Sequence, residues 1–233
     1  MNQNDPLGRT KKELFDDWPE KYDQWFTTPI GALVKKFESK VILDLLNPRP
    51  GEIILDAGCG TGVFTIDILP FGVYAVGLDR SLPMLKVAAQ KTKTYPFQIV
   101  SADMANIPFR RGTFDKVISV TALEFINDAK GAVGELFRVT KRGGSIVVAT
   151  LNSLSPWASR RKSEAEKGHS LFQRATFRSP DQLLSLAPVE GMIKTAIYFQ
   201  KEDDPNRVPD IEGEGQRKGL STGAFLAARW VNL

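Results

Sequence analysis

Residues 52–62 read EIILDAGCGTG, a short apolar run that ends in Asp56 and opens into three alternating glycines. An apolar run of this length, bounded by an acidic residue and glycine, is typical of a buried strand, and residues 63–69 then follow a helical pattern. A glycine-rich turn between a strand and a helix lets a ligand approach the backbone, whose free amides favour an electronegative group. The stretch therefore predicts a ligand-binding loop at the carboxyl end of a strand.

Strand and helix patterns alternate along the rest of the chain. Further strands are predicted at residues 74–79, 98–100, 116–120, 145–151, 192–199 and 223–231, and helices at 30–46, 81–91, from 127 or 128 to 143, and from 179. Residues 152–178 are basic and aperiodic, and residues 200–219 are predicted to form a long charged loop. Apolar strands that alternate with helices predict a parallel sheet covered on both faces, a doubly wound α/β fold. Such folds bind ligands at the carboxyl ends of their strands.

Composition excludes several functional classes for this chain of 233 residues. The net charge of +4 is a small excess, so nucleic acid is an improbable partner. One cysteine and one histidine exclude an internal disulfide and a thiolate zinc site, and we predict no metal. We find no signal peptide and no membrane span, and we predict a cytoplasmic location. Composition leaves the oligomeric state open.

The register of the glycines argues against a dinucleotide site. A G-x-G-x-x-G pattern that starts at Gly58 requires glycine at position 63, where the chain has Val63. Asp56 would also repel a pyrophosphate held by the loop, by about 4 kcal/mol at a separation of 4 Å in a medium of effective dielectric 20. No lysine follows the glycines, which excludes a P-loop. The loop suits a ligand that carries a positive charge.

Two further carboxylates follow the next two predicted strands. Asp79 ends the second strand, where an acidic group can accept the hydroxyl protons of a ribose. Asp103 follows the third strand, where it can accept from an exocyclic adenine amine or simply cap the following turn. With Asp56, these residues predict a site for a cationic nucleoside.

At this point residues 52–152 are seen to resemble the class I S-adenosylmethionine-dependent methyltransferases, and within them the small-molecule group that includes the ubiquinone and menaquinone C-methyltransferases. The motifs that carry the resemblance are residues 52–62, 77–79, 101–104 with 107–109, 114–117 and 142–144. The resemblance implies a seven-stranded, mostly parallel sheet whose last strand is antiparallel. It also implies S-adenosylmethionine as cofactor and S-adenosylhomocysteine as product.

The resemblance implies a cofactor site as well. It assigns Asp56 and the Gly58–Gly62 backbone to the methionine part, Asp79 to the ribose, and Asp103 with Met104 to the adenine. Residues 22–26 resemble the segment that covers the cofactor in such enzymes, so Tyr22 is a candidate lid residue. The predicted cofactor-binding set is Tyr22, Asp56, Ala57, Gly58, Cys59, Gly60, Gly62, Asp79, Arg80, Ala102, Asp103, Met104 and Thr121.

We predict a pocket for the methyl acceptor from residues outside these motifs. Its floor is Glu124 with Phe125, its roof is Tyr22 with Trp25, and its walls are Trp157, His169 and Phe172. Methyl transfer from a sulfonium is an in-line displacement that depends on alignment and on exclusion of water. A base is needed only where the acceptor must lose a proton, and the candidates are His169 and Glu124.

Each of these residues also has a simpler interpretation. Tyr22, Trp25 and Phe26 could be the apolar face that docks an N-terminal helix. His169 could lie at the surface, and Cys59 is better explained as a small buried side chain than as a nucleophile. A group of arginines could bind an anionic substrate or only keep the segment soluble, and we favour the second: Arg160, Arg161, Arg174 and Arg178. Residues 119–125 lack the Asn/Asp-Pro-Pro-Tyr/Phe signature of enzymes that methylate amide or adenine amino nitrogens.

The sequence thus predicts a methyltransferase that acts on a small-molecule acceptor. The alternatives are a methyltransferase that acts on RNA or protein, and a non-catalytic domain that binds S-adenosylmethionine. We divide the chain into N-terminal capping helices (1–47), a cofactor-binding core (48–151), an insertion that covers the substrate (152–178) and the C-terminal part of the same sheet (179–233).

Overall fold

A single sheet of seven strands organises the computed structural model, which describes residues 12–168 and 170–233. The strands are β1 (Ile53–Ala57), β2 (Tyr74–Asp79), β3 (Phe97–Ser101), β4 (Phe114–Val120), β5 (Thr140–Leu151), β6 (Met192–Ala196) and β7 (Phe225–Val231). They lie in the order β3-β2-β1-β4-β5-β7-β6, and β7 runs antiparallel to both of its neighbours. The predicted α/β fold with an antiparallel last strand is confirmed.

The helices connect these strands, and several begin at a side-chain cap. They are α1 (Pro19–Thr27), α2 (Pro29–Leu46), α3 (Thr65–Ile68), α4 (Leu82–Lys91), α5 (Ala129–Val139), α6 (Pro156–Glu166), α7 (Ser170–Gln173), α8 (Pro180–Leu184) and α9 (Val208–Arg217). The side chains of Thr28, Ser81 and Asp128 cap α2, α4 and α5, and Ser179 with Gln182 forms the predicted capping box of α8. None of the described helices combines the length and apolarity that crossing a bilayer requires.

The central strands are buried on both faces, because helices cover each face and alternate residues of a strand point to opposite sides. Ile54 belongs to one buried cluster together with residues of α2, whereas Leu55 belongs to a second cluster together with residues of α5. Val147 and Val148 divide in the same way. This double burial explains why the central strands are almost continuously apolar.

The strand order places a ligand-binding crevice at the middle of the sheet. The chain runs from β1 outward to β2 and β3, and then returns to the other side of β1 as β4. The order of the strands thus reverses at β1, and a crevice opens at such a point beyond the carboxyl ends of the strands. The glycine loop leaves β1 at this edge.

Two predictions from the sequence are wrong in their details. Residues 200–219 are not one loop, because they contain α9. This helix packs on the core through Val208 and Ile211, and a buried carboxylate on the same face joins it to the chain after β6. Glu212 is 1% exposed and accepts hydrogen bonds from the backbone N–H groups of Ile197 and Tyr198, each at 3.0 Å from Oε2. The helix predicted to continue to residue 143 ends at Val139, where β5 begins.

Replacing Glu212 tests the role of this buried carboxylate. Glu212→Ala leaves two backbone N–H groups without an acceptor, so we expect the free energy of unfolding to fall by about 1–3 kcal/mol. The control is Glu214→Ala, which removes an exposed carboxylate that pairs with Lys218, the C-cap residue of α9. Urea denaturation measures both variants, and equal midpoints for the two would contradict the assignment.

Candidate functional site

The glycine loop folds back on the end of β2. The N–H groups of Gly58 and Cys59 both donate to the carbonyl of Leu78, at 2.7 and 3.0 Å. Gly58 and Gly60 have φ values of 79° and 53°, in the left-handed region that glycine adopts without strain. A Cβ atom on Gly58 would lie 2.4 Å from the Cβ of Ala122, whereas one on Gly60 would meet nothing within 4 Å. The loop therefore packs closely against the segment after β4 at Gly58 and leaves open space beside Gly60.

Asp79 fixes the shape of this loop from the end of β2. Its Oδ2 accepts from the N–H of Gly60 and its Oδ1 from the N–H of Ser81, each at 2.9 Å. Burial raises the pKa of Asp79, and these two hydrogen bonds oppose the rise. Each carboxylate oxygen can accept a further hydrogen bond, so Asp79 can receive hydroxyl groups of a ligand.

Asp56 lies at the end of β1 and is 2% exposed. Its Oδ2 accepts from the hydroxyl of Thr65 at 2.6 Å. Burial raises the pKa of Asp56 to about 7; the Thr65 hydrogen bond opposes this rise and the charge of Asp79 adds to it. A cation bound beside Asp56 would favour its ionised form, so the position suits a ligand ammonium group.

A cavity of about 460 Å³ opens above these carboxylates, and we call it the first cavity. Most of the predicted cofactor-binding residues line it: Tyr22, Asp56, Gly58, Cys59, Gly60, Asp79, Arg80, Ala102, Met104 and Thr121. Ala57, Gly62 and Asp103 belong to the same loops but do not line it. The structure thus brings together the residues that the motifs identify in three separate segments.

Asp103 takes part in an ion-pair chain at the rim of the first cavity. Its Oδ2 accepts from Nη1 of Arg80 at 3.1 Å, and Nη2 of Arg80 donates to Glu13 at 3.0 Å. Its Oδ1 accepts from the N–H of Ala105, which is the turn-capping interaction considered as an alternative. Its contact with an adenine amine stays a prediction.

Residues 12–18, which precede α1, cover the first cavity, a feature that the sequence did not predict. Glu13 and Phe15 line this cavity, and the hydroxyl of Ser81 donates to Asp16 at 2.7 Å. The ring of Phe15 meets that of Phe125 edge to face, with centroids 4.9 Å apart. The only available signal was Phe15 itself, an aromatic residue in a polar stretch.

Asp23 holds α1 on the glycine loop and was also missed. It accepts from the hydroxyl of Thr61 at 2.6 Å and from Nζ of Lys91 at 2.9 Å. Lys91 belongs to α4, so this one carboxylate joins α1, the glycine loop and α4. Tyr22, the predicted lid residue, is thereby positioned over the first cavity.

A second cavity of about 290 Å³ adjoins the first. The residues predicted to contact the acceptor line it together: Trp25, Phe125, Trp157 and Phe172. The rings of Trp25 and Trp157 meet edge to face at 6.4 Å, and Nε1 of Trp157 donates to the carbonyl of Phe199 at 2.7 Å. Both cavities are lined by Phe15, Tyr22, Thr121 and Phe125, so these residues form the junction between them.

Thr121 has a strained backbone at this junction. Its φ of 48° lies in the left-handed region, which is unfavourable for a β-branched residue. Burial raises the pKa of the neighbouring Tyr22 hydroxyl, and the opposing effect of Thr121 is smaller, so Tyr22 stays protonated. Strain of this kind concentrates at functional sites.

The two predicted bases have different outcomes. Glu124 is buried outside the lining of both cavities, and its Oε1 accepts from the N–H of Leu151 at 2.7 Å. His169 lies outside the described residues.

Burial, with the charges of Asp56 and Asp79, raises the pKa of Cys59, which therefore stays a thiol.

The arginines of residues 152–178 also divide. Arg178 donates to the carbonyls of Leu123 and Thr176, and Arg160 pairs with Glu202, so both have structural partners. Arg174 lines the first cavity, and Arg161 lines the second beside Arg160.

Comparison with known proteins gives the family. Residues 55–148 match the model of a methyltransferase domain. Demethylmenaquinone methyltransferase of Streptomyces avermitilis is 31% identical over 178 residues, 75% of each chain. The chain belongs to the class I S-adenosylmethionine-dependent methyltransferases.

Other relatives agree with this family. Demethylmenaquinone methyltransferase of Beutenbergia cavernae is 36% identical over 146 residues. The match covers 62% of this chain and 59% of the relative, which is less than two thirds of the relative's length. In fold, the chain is similar to an S-adenosylmethionine-dependent methyltransferase of Thermotoga maritima, described as a possible histamine N-methyltransferase. The TM-score is 0.69 at 21% identity, over 94% of this chain and 98% of that one.

The close approach of Gly58 to Ala122 can be tested against a matched glycine. Gly143 has nearly the same φ, 77°, but an added Cβ there would meet nothing within 4 Å. Gly143→Ala should cost about 1–2 kcal/mol of stability through backbone strain alone. Gly58→Ala carries the same strain and also displaces the loop, so we expect S-adenosylhomocysteine to bind about tenfold more weakly or worse.

Isothermal titration calorimetry and thermal unfolding of both variants measure these effects. Wild-type affinity in Gly58→Ala would show that the loop does not hold the ligand.

Proposed function

We propose that this protein binds S-adenosylmethionine in the first cavity and transfers its methyl group to a small molecule held in the second. The observation that carries the proposal is the junction of the two cavities at Tyr22, Thr121 and Phe125. A donor and an acceptor in adjoining cavities can approach in line, and such alignment supplies much of the rate enhancement in a displacement reaction.

The residues of the first cavity fit this cofactor. Asp56 is a buried carboxylate whose pKa is raised to about 7, and an ammonium group would stabilise its ionised form. The open side of Gly60 leaves room for the ligand to contact the loop backbone. Asp79 keeps acceptor capacity for the ribose hydroxyls, and Ala102 with Met104 supplies an apolar surface for the adenine.

The cofactor supplies a sulfonium methyl group with a neutral leaving group, and the protein's contribution is to orient the partners and exclude water. The aromatic rings of Phe15 and Phe125 pack together at the junction and limit access of solvent. The hydroxyl of Tyr22 is protonated and can donate a hydrogen bond there. We propose that Glu124, which is bound to the N–H of Leu151, positions Phe125 and does not take a proton from the acceptor.

A small molecule is the acceptor class best supported. The second cavity is small and is lined by the rings of Trp25, Trp157 and Phe172. The relatives named demethylmenaquinone methyltransferases support an acceptor with an apolar body. The net charge of +4 gives little support to an RNA substrate. The single cysteine, which is buried, supports action in a reducing compartment such as the cytoplasm.

Two measurements test this function. Calorimetry should show binding of S-adenosylmethionine and none of NAD; tight binding of NAD alone would overturn the cofactor assignment. A screen of thiols, phenols, quinols, amines and carboxylic acids, read by release of S-adenosylhomocysteine, should then identify the acceptor. Binding of the cofactor without release on any acceptor would support a non-catalytic domain.

The raised pKa of Asp56 predicts how cofactor affinity depends on pH. Above pH 7 most of the carboxylate is ionised, so affinity should be greatest between pH 7 and the α-amine pKa of the ligand, about 7.7–8. Below pH 7 binding of the ammonium group must displace a proton, and affinity should fall by up to about tenfold per pH unit. The amine of the cofactor is protonated throughout this lower range.

Asp56→Asn should remove this dependence and weaken binding by about ten- to a hundredfold, the usual effect of losing a hydrogen bond to a charged group. Asp67→Asn is the matched control, because Asp67 lies outside both cavities and pairs with Lys35. The affinity of each protein is measured from pH 5.5 to 8. If Asp56→Asn keeps the wild-type pH profile, Asp56 is not the residue that contacts the ammonium group.

A further inference from the structure

Arg161 of α6 lies in the second cavity between two aromatic rings. Its guanidinium carbon is 5.2 Å from the centroid of the Trp157 ring and 5.6 Å from that of Phe172. Stacking on aromatic faces holds a guanidinium in a fixed orientation while its N–H groups stay available. Arg161 is therefore positioned in this cavity by its apolar surroundings.

Nη1 of Arg161 is buried and has no hydrogen-bond partner among the described residues. Arg161 also has no ion pair within that part of the chain, whereas the adjacent Arg160 pairs with Glu202. A buried charge without a partner is strongly unfavourable, and native structures keep such groups mainly where a ligand completes them. The free N–H of Arg161 thus points to a ligand.

Glu38 of α2 is the acidic residue whose charge acts most strongly on Arg161. It is 6% exposed and lines the same cavity, but its carboxylate makes no ion pair with Arg161. Burial raises the pKa of Glu38 to about 8, against the opposing charges of Arg161 and Lys35. A protonated Glu38 can donate a hydrogen bond and does not neutralise Arg161.

The charges around the second cavity favour an anion. Its basic lining residues are Lys21, Arg160, Arg161 and Lys201, and its acidic ones are Glu38 and Glu164. Glu38 is protonated near neutral pH, which leaves an excess of positive charge on an otherwise aromatic cavity. A cationic acceptor would be repelled by Arg161, and a neutral one could accept from its Nη1 but would leave its buried charge unpaired.

We propose that the second cavity binds a methyl acceptor that carries a carboxylate on an apolar body, with Arg161 as the residue that pairs with the carboxylate and Glu38 as a hydrogen-bond donor to it. Arg161 is the one basic residue of this lining with a buried, unpartnered N–H among the described residues, which favours a single carboxylate over a dianionic phosphate. The proposal rests on the proposed function for the identity of the second cavity as the acceptor site.

The test uses two probes of the same shape that differ in charge, 1-naphthoate and 1-naphthamide. Calorimetry is done at pH 7 with the full-length protein saturated with S-adenosylhomocysteine. We expect wild-type protein to bind naphthoate at least tenfold more tightly than naphthamide. Arg161→Met should bring the two probes within twofold of each other, because methionine keeps the contact with Trp157 but not the charge.

Lys162→Met is the matched control, since it removes an equal charge from the next, exposed position of α6. It should keep the wild-type preference for naphthoate. Glu38→Gln keeps a hydrogen-bond donor and should also keep the preference. The affinity of each variant for S-adenosylhomocysteine should stay within twofold of wild type, because none of these residues lines the first cavity.

Equal binding of the two probes to wild-type protein would overturn the proposal, and so would a preference for naphthoate that survives in Arg161→Met. If naphthyl phosphate binds more than tenfold tighter than naphthoate, the carboxylate assignment is wrong. The comparison of probes on wild-type protein needs no variant to fold. Failure of S-adenosylhomocysteine to bind would instead overturn the proposed function, so the two failures are distinguishable.

Discussion

The burial of Asp56 at the end of the central strand is the constraint on which the site depends. The carboxylate is almost fully enclosed, accepts a hydrogen bond from Thr65 and has no basic partner in the described part of the chain. Burying an unpaired carboxylate is unfavourable for the protein alone. The arrangement becomes favourable when a cation binds beside it, which is why the first cavity suits a positively charged nucleoside and not a dinucleotide.

The rest of the first cavity is built around the same edge of the sheet. Asp79 fixes the glycine loop by accepting from Gly60, and the loop in turn holds α1 through the contact between Thr61 and Asp23. The cover of the cavity is thus attached to the loop that binds the ligand. These polar contacts join segments that are distant in the chain, so the geometry of the site depends on the sheet and on α1 that bring them together.

The second cavity follows a different principle. Its walls are aromatic, and polar groups from distant parts of the chain, Glu38 and Arg161, lie among the rings. In a cavity of low polarity each charge has a large effect, since little water is available to screen it. The second cavity therefore discriminates between acceptors of different charge more strongly than an open surface would.

The sequence by itself determined the sheet, the glycine loop and the helix caps. These features depend on residues close together in the chain: the apolar run before Asp56, the register that puts Val63 where a dinucleotide site needs glycine, and caps such as Ser81. Local conformation and strand burial are enough to specify them. The aromatic residues Trp25 and Trp157 were also expected together, in an acceptor pocket predicted from residues outside the family motifs.

Only the tertiary structure decided which polar side chains meet. α9 has few apolar residues and two interior glycines, and it is held by the hydrogen bonds of Glu212 to the backbone after β6, which no local pattern announces. In the same way, α2 and α6 bring Glu38 and Arg161 to one cavity although each residue looks like an ordinary surface charge in its own segment. The physical reason is that hydrogen bonds and charge effects between distant segments depend on how the helices pack, and the periodicity of the sequence does not encode that packing.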